Sequence, residues 1–562
     1  MIFRKYLHWF LYPLFALACA RQTTPTGGPK DTIPPIMVSS MPAKGQINYK
    51  GKKVELIFDE VIAANNPKEQ IIITPDVQKK YDITVRKNKV ILEFENDLAD
   101  TTTYSVNFRD AIQDITEKNP AVNLKVAFST GNYIDSLSIS GNAIDPLRAK
   151  DLKETTIALY QPDTFNIFKH KPVYLTQTDV KGNFKIENLK PGTYHIYAIE
   201  DKNRNLIADS KNESYGFLST PIDLRENKSR ISIQLVRLDS RPLKLISARP
   251  YNTYYTIKAS KNLTHYKITP ETDDIMISSF AEDQSVLKIY NTLEGQDSIK
   301  VQFHALDSID NALDTTLYVK FSKREVKREA FTAKSQGFKV ISTKGLLTGK
   351  IKFSKPVLNV NYDSIFYQID SLNTIRFTHA DLHWDSLHNL LTIEKKIDKS
   401  FLAKPDSEKP FGPPPPQNTK PATKKSEPQY QLMLGKSAFV SIELDTSQQM
   451  KETLKPIYFD ETGVILASIE TTEESFIVQL LDNNFNIVQS ERNKKHVTFE
   501  DLTPAEYQLR LVIDKNHDGL WTPGNFDKKE ESEPTRFYHN DQKTTTIKLK
   551  ANFEIGPLLI KF

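Results

Sequence analysis

Apolar and polar residues alternate with period two along most of the chain. Val54, Leu56 and Phe58 are interleaved with Lys53, Glu55 and Ile57, and the pattern returns at Val90, Leu92 and Phe94, at Tyr104, Val106 and Phe108, and at Val126 and Phe128. A period of two gives a strand one apolar face, to be buried against a core. Long helical periodicity is missing, and the short runs are rich in Ile, Thr, Tyr and Phe. This pattern predicts an all-β chain built as tandem antiparallel β-sandwiches. At roughly 100–200 residues per domain, a chain of this length needs several of them.

Composition shifts and turn signals divide the chain into a leader (1–19), a Pro- and Gly-containing tether (20–35) and five units, at 36–131, 135–237, 238–330, 331–457 and 458–562. Within the fourth unit, residues 404–428 (KPDSEKPFGPPPPQNTKPATKKSEP) break the strand pattern, because consecutive prolines cannot continue a sheet. The second and fifth units repeat one another. LKPGTYHIYAIEDKNRN (189–205) aligns without gaps to LTPAEYQLRLVIDKNHD (502–518), and Phe165-Asn166-Ile167 matches Phe485-Asn486-Ile487 after one gap.

Several stretches resemble known families. In the first unit they are IPPI (33–36), LIFDE (56–60), TTTYSVNF (101–108), DAIQD (110–114) and AFSTG (127–131), and together they resemble the SbsA-type bacterial Ig-like domain. In the third unit DSIDN (307–311) followed by LYVKF (317–321) echoes DAIQD and its closing strand. In the fourth, IKFSKPV (351–357) occupies the place of LIFDEVI, so both read as further Ig-like units. GNAID (141–145), TTIALY (155–160), GNFKI (182–186) and PGTYHIYAI (191–199) resemble the transthyretin-like, carboxypeptidase-regulatory-like sandwich. The tether PTGGPKD with the first unit looks like a family of Bacteroidota envelope lipoproteins. That resemblance implies an architectural role and no catalytic residues.

The one cysteine, Cys19, closes the apolar run from Trp9 to Ala18, which Arg4 and Lys5 precede. A basic start, a short apolar stretch and small residues at the cut site form a secretory signal, and the run is about half the roughly 20 residues of a membrane span. A cysteine at the cut resembles a bacterial lipobox, whose usual order is Leu-Ala/Ser-Gly/Ala-Cys; here it is Ala16-Leu17-Ala18-Cys19. The resemblance implies acylation of Cys19 and a lipid-anchored outer-membrane protein, with membrane lipid as its first partner. No acidic cluster follows Cys19, which leans towards the periplasmic rather than the surface face. With one cysteine, no disulfide forms within the chain, so stability has to come from the sheet cores.

Charge adds little to this picture. The 75 basic and 70 acidic residues leave a net charge of +5, with both signs alternating along strands, so there is no nucleic-acid footprint. No Gly-x-Ser-x-Gly, Walker loop or His-Glu-x-x-His occurs. Asp59 and Glu60 are neighbours on a strand and point to opposite faces. A non-enzymatic protein is expected.

Candidate chemistry concentrates in the repeat. Asp514-Lys515-Asn516-His517-Asp518-Gly519 carries side-chain oxygens at alternate positions and then glycine, the first half of an EF-hand-type calcium loop. Asp527 or Glu530 could complete a site, while Asn525 stands where the bidentate glutamate belongs. The earlier copy, Asp201-Lys202-Asn203-Arg204-Asn205 with Asp209 downstream, lacks the glycine. The competing reading of both copies is an Asx-rich turn. Trp521, beside the later loop, is a candidate contact for a sugar or a protein partner, the competing reading being a cap on its own core.

His379 and His383 would share a helix face, but the following LHNLLTI (387–393) reads as a strand. On a strand they stand about 13 Å apart, too far for one ion, and with His388 they read as solvated. Asp-Ser/Thr-Ile/Leu recurs at Thr32, Ser136, Ser298, Ser308, Ser364, Ser371 and Ser386. This resembles the O-glycosylation sequon of exported Bacteroidota proteins. The competing reading is ordinary Asp-Ser turn chemistry ahead of a strand.

The expected role is therefore a non-catalytic envelope lipoprotein. It would act as a structural spacer or a binding module for an envelope protein or glycan, with the fifth unit as its distal tip. The alternatives are a glycan-binding accessory of a carbohydrate-uptake system and an enzyme with a scattered site.

Overall fold

The computed structural model describes residues 31–77, 80–161, 165–273, 275–292, 298–322, 328–404 and 429–562. Cys19, the tether up to residue 30 and the proline-rich segment from 405 to 428 lie outside these residues.

The regular structure of the described chain is almost entirely strand, arranged in small, mainly antiparallel sheets around five separate apolar cores. The alternating positions line those cores: Val54, Leu56, Val90, Leu92, Val106 and Val126 are all fully buried. Among the described residues no helix is long and apolar enough to cross a membrane.

The first, third and fourth units share the strand order of one four-stranded sheet, to which the fourth adds Pro456–Ile457 in parallel. In the first, Met37–Met41, Lys53–Phe58, Lys89–Phe94 and Tyr81–Arg86 lie side by side in that order. They face a sheet of Ile72–Thr74, Thr103–Asn107 and Lys125–Ser129. The third unit repeats this order with Leu245–Tyr251, Tyr254–Ala259, Val286–Tyr290 and Ser278–Phe280, and the fourth with Ala333–Ile341, Leu346–Phe353, Leu390–Lys396 and Leu382–Trp384. The DAIQD segment holds its turn through Asp114, a buried carboxylate that accepts hydrogen bonds from the backbone N–H groups of Glu117, Lys118 and Asn119 at 2.7–3.0 Å. Asp307 does the same in DSIDN for Ile309 and Asn311.

The second and fifth units share a different topology. Leu137–Asp145 lies between Asn183–Leu189, antiparallel, and Lys228–Gln234, parallel. Gly463–Glu470 lies in the same way between His496–Leu502 and Glu554–Lys561. Their other sheets match too: Tyr174–Gln177, Thr156–Tyr160, Gly192–Ile199 and Tyr215–Phe217 in one, Ile487–Arg492, Phe476–Leu481, Ala505–Ile513 and Thr535–Phe537 in the other. The sequence repeat is thus a repeat of one strand plan.

The five units do not extend as a simple string. The fifth packs back across the second and touches the tip of the third, where a free distal end was expected. The physical reason lies in the strands themselves. All five residues of Thr156–Tyr160 and all six of Phe476–Leu481 are buried, so both faces of each sheet are covered. Ala158, Tyr160, Tyr197, Ile199, Tyr215 and Phe217 form a second apolar layer outside the core of the second unit, and the fifth unit covers it.

Candidate functional site

The site begins with the repeated Asp-Lys-Asn loops. In the fifth unit, Asp514 ends the strand Ala505–Ile513 and is buried. Its Oδ2 accepts from the Gly519 N–H at 3.0 Å and from Ser475 Oγ at 3.1 Å, while Oδ1 has no hydrogen-bond partner. The loop closes on Glu533, only 3% exposed, whose carboxylate accepts the N–H groups of Lys515 (2.7 Å), Asn516 (3.4 Å) and Thr522 (2.8 Å). Burial holds the Glu533 carboxyl above the ordinary glutamate range, against these backbone hydrogen bonds, and Asp514 adds to the shift.

The second unit has the same device. Glu213, 1% exposed, accepts the N–H groups of Lys202 (3.0 Å) and Asp209 (2.8 Å). The two glutamates are the organising residues of the loops, and neither stands out in the sequence, because the loops differ in length before they return to them.

Two of the calcium-type side chains, Asn516 and Asp518, are engaged with each other. Asn516 Nδ2 donates to Asp518 Oδ2 at 3.0 Å and to Thr522 Oγ1 at 2.9 Å, and Asn516 Oδ1 accepts the Asp518 N–H at 3.1 Å, the pattern of an Asx turn. Asn525 and Glu530 exchange backbone hydrogen bonds across a hairpin, and Asp527 is exposed. Among the described residues no group of three or more His, Cys, Asp or Glu is placed to hold a metal ion.

Each loop reaches a neighbouring unit. Arg204 of the earlier loop forms an ion pair with Glu69 of the first unit. The later loop docks on the second unit through Phe526, whose ring meets Phe168, Tyr215 and Phe217 at centroid distances of 5.1, 5.8 and 5.6 Å. Asn525 Nδ2 donates to the Ile309 carbonyl of the third unit at 2.7 Å. Trp521 is half-buried in this junction. Its Nε1 donates to the Glu533 carbonyl at 3.0 Å, and its ring packs on the apolar layer of the second unit.

The second unit answers in kind. Its turn at Pro146 and Leu147 accepts hydrogen bonds from Thr535 Oγ1 (2.6 Å) and Arg510 Nη1 (3.0 Å). Arg510 is buried, its guanidinium also held on Gln479, and burial lowers it to about 10.

Between the two repeats lies a cleft of about 570 Å³. Asp145, Asp151, Tyr215, Phe217 and Gln234 lie on one wall, and Glu531, Thr535, Arg536, Phe537 and Phe562 on the other. The volume falls in the usual range for ligand sites. Because the cleft joins two distant parts of the chain, residue spacing gives no sign of it.

The remaining predicted positions are scattered. His379, His383 and His388 are exposed, and His388 stacks on Trp384. Thr32, Ser136, Ser298, Ser308, Ser371 and Ser386 are exposed and Ser364 is half-buried. Asp307, Asp370 and Asp385, which precede three of these serines, use their carboxylates to cap turns.

The bacterial Ig-like domain family model matches residues 31–130, the first unit. No curated relative matches the sequence. Among solved structures, the Bacillus anthracis TIE protein is 10% identical, with 99% of this chain and 78% of that chain covered and a TM-score of 0.13. BcpA, the major pilin subunit of Bacillus cereus, is 10% identical over 76% of this chain and 99% of that chain, with a TM-score of 0.14. Domains 1–6 of the surface layer protein SbsC are 12% identical over 93% and 67%, with a TM-score of 0.15. Scores this low do not amount to a shared overall arrangement.

Proposed function

We propose that the chain is a non-catalytic lipoprotein of the bacterial cell envelope, acylated at Cys19, held on the outer membrane, and acting as a structural and binding module for an envelope partner. In this reading the second and fifth units are transthyretin-like sandwiches, and the protein is of the Bacteroidota lipoprotein type. The observation that carries it is the docking of the fifth unit across the second by reciprocal contacts. Five sandwiches joined in this way present a fixed surface of loops and sheet edges, which suits binding on a rigid scaffold.

The test has two parts. Cells expressing the protein are labelled with a palmitate analogue, and label that disappears in Cys19→Ala supports the anchor, whereas label retained in that variant, or absent from the parent, overturns it. Protease treatment of intact and lysed cells then reports the face. Cleavage only after lysis fits a periplasmic structural role, and cleavage on intact cells moves the binding partner outside.

A further inference from the structure

We infer that the cleft between the second and fifth units is a docking slot for an extended, basic peptide segment, which would add as a strand to the free sheet edges facing it. The inference rests on the reading of this chain as a binding module.

The argument starts from strand geometry. Successive side chains of a strand point to opposite faces, so consecutive residues can line one cavity only where the strand presents its edge. Tyr215, Gly216 and Phe217 all line the cleft, as do Thr535, Arg536 and Phe537. Both strands stand last in their sheets.

The backbone phase agrees. The Glu200 N–H donates to the Ser214 carbonyl at 2.9 Å and the Leu218 N–H to that of Ile196 at 3.4 Å, so Ser214, Gly216 and Leu218 turn inward and Tyr215 and Phe217 outward. Tyr215 exchanges both its backbone bonds with Val236, at 3.0 and 3.1 Å. Beyond that bridge no strand among the described residues pairs with Phe217 on its outer side. Across the cleft, the bonds from Ile513 to the Pro534 carbonyl and from Tyr538 to the Leu509 carbonyl, both 2.9 Å, turn Thr535 and Phe537 outward in the same way. Tyr215 is thus taken by Val236, and the Phe537 carbonyl accepts from His539 Nδ1 at 3.1 Å, which leaves Phe217 on one wall and Thr535 with the Phe537 N–H on the other as the unpaired edge facing the cavity, and an unpaired edge is a template for another strand.

Charge sets the class of occupant. The carboxylates of Asp145, Asp151 and Glu531 line the cleft against the single guanidinium of Arg536. Asp145 is committed to the N–H groups of Leu147 and Arg148, and Glu531 to Ser219. Asp151 is exposed and forms no ion pair among the described residues, which leaves it available to a lysine or arginine of the incoming segment. A basic segment with apolar alternate residues fits both the walls and the excess of acid.

The test uses the purified full chain and a displayed library of random linear peptides. Selected peptides are expected to be basic and rich in strand formers, and to slow amide exchange at Phe217, Thr535 and Phe537. N-methylation of alternate peptide amides should abolish binding. Asp151→Lys, a substitution at an exposed position, should weaken binding several-fold without changing the melting temperature. Recovery of no peptide above background, peptides that leave those three amides unprotected, or equal binding of the N-methylated form would overturn the inference. The assay does not depend on Cys19 or on location, so it can fail while the envelope reading stands, and the reverse.

Discussion

Phe526 of the fifth unit stands edge-on to Tyr215 of the second, ring centroids 5.8 Å apart and planes at 79°. With Phe168 and Phe217 around the same ring, and Lys529 Nζ 4.0 Å above its centroid, this one side chain carries much of the apolar contact between the repeats. Phe526→Ala is expected to cost on the order of 3 kcal/mol of docking. Calorimetry should show the fifth unit melting separately and earlier, while the cores of the other units are untouched. A single unchanged transition would mean that the remaining contacts, among them the hydrogen bonds at Pro146 and Leu147 and that of Ser219 with Glu531, suffice to hold the units together.

Glu533→Gln tests the loop's organising residue. The carboxylate accepts on both oxygens, from Lys515 and Asn516 on one and from Thr522 on the other. An amide keeps one acceptor and turns a donor towards the remaining N–H, at a cost of about 1–3 kcal/mol. Faster proteolysis within residues 515–532 and a lower melting temperature are expected. Glu213→Gln should produce the same effect at the first–second unit junction.

Calcium should leave the melting temperature of the fifth unit unchanged. Asn516 donates to Asp518, so two of the three side chains a cation would need are already turned to each other. A rise in melting temperature with calcium concentration, abolished by Asp514→Asn, would instead show a cation drawn to the unpartnered Oδ1 of Asp514.

The strand plan was legible because half-buried strands advertise themselves: Val54, Leu56 and Phe58 are buried as the alternation requires. The repeat was legible at the Asp-Lys-Asn loops, and the two units do share one topology. The docking of the units left a weaker trace. Thr156–Tyr160 and Phe476–Leu481 lack alternation, which in an antiparallel sheet signals a second covered face, but it does not say what covers it. The roles of Glu533 and of the cleft were not legible, because each depends on residues brought together only by the fold. Trp521, read as a contact residue or a core cap, packs at the junction of two units.

Lys355→Met should be among the most damaging single changes. The Lys355 ammonium, its side chain 3% exposed, lies 2.6 Å from Glu443 and 2.7 Å from Asp445 beside the third–fourth unit junction. Removing one partner of a buried ion group leaves uncompensated charge, at about 3–5 kcal/mol. The variant that also carries Glu443→Gln and Asp445→Asn should recover most of the loss. Chemical denaturation of the three proteins checks this, and equal destabilisation of the single and triple variants would assign the effect to packing.

Acid should loosen the first–second unit junction before it unfolds the cores. Lys125 of the first unit and Lys185 of the second both hydrogen-bond Glu187, at 2.7 and 2.5 Å, and pull its carboxyl down to about 2 from 4.5. A carboxylate whose folded value is depressed stabilises fully above its unfolded value and loses that contribution as pH falls through the folded one. The window is therefore from about 4.5 down to about 2. The pair is partly exposed, so solvent screening keeps the effect modest. Glu187→Gln should remove this part of the acid sensitivity and reproduce, at neutral pH, the looser junction of the parent at low pH. Exchange rates for the backbone amides of residues 125–129 and 183–189, followed against pH in both proteins, measure it directly. Parallel pH profiles for parent and variant would place the acid-sensitive contact elsewhere in the junction.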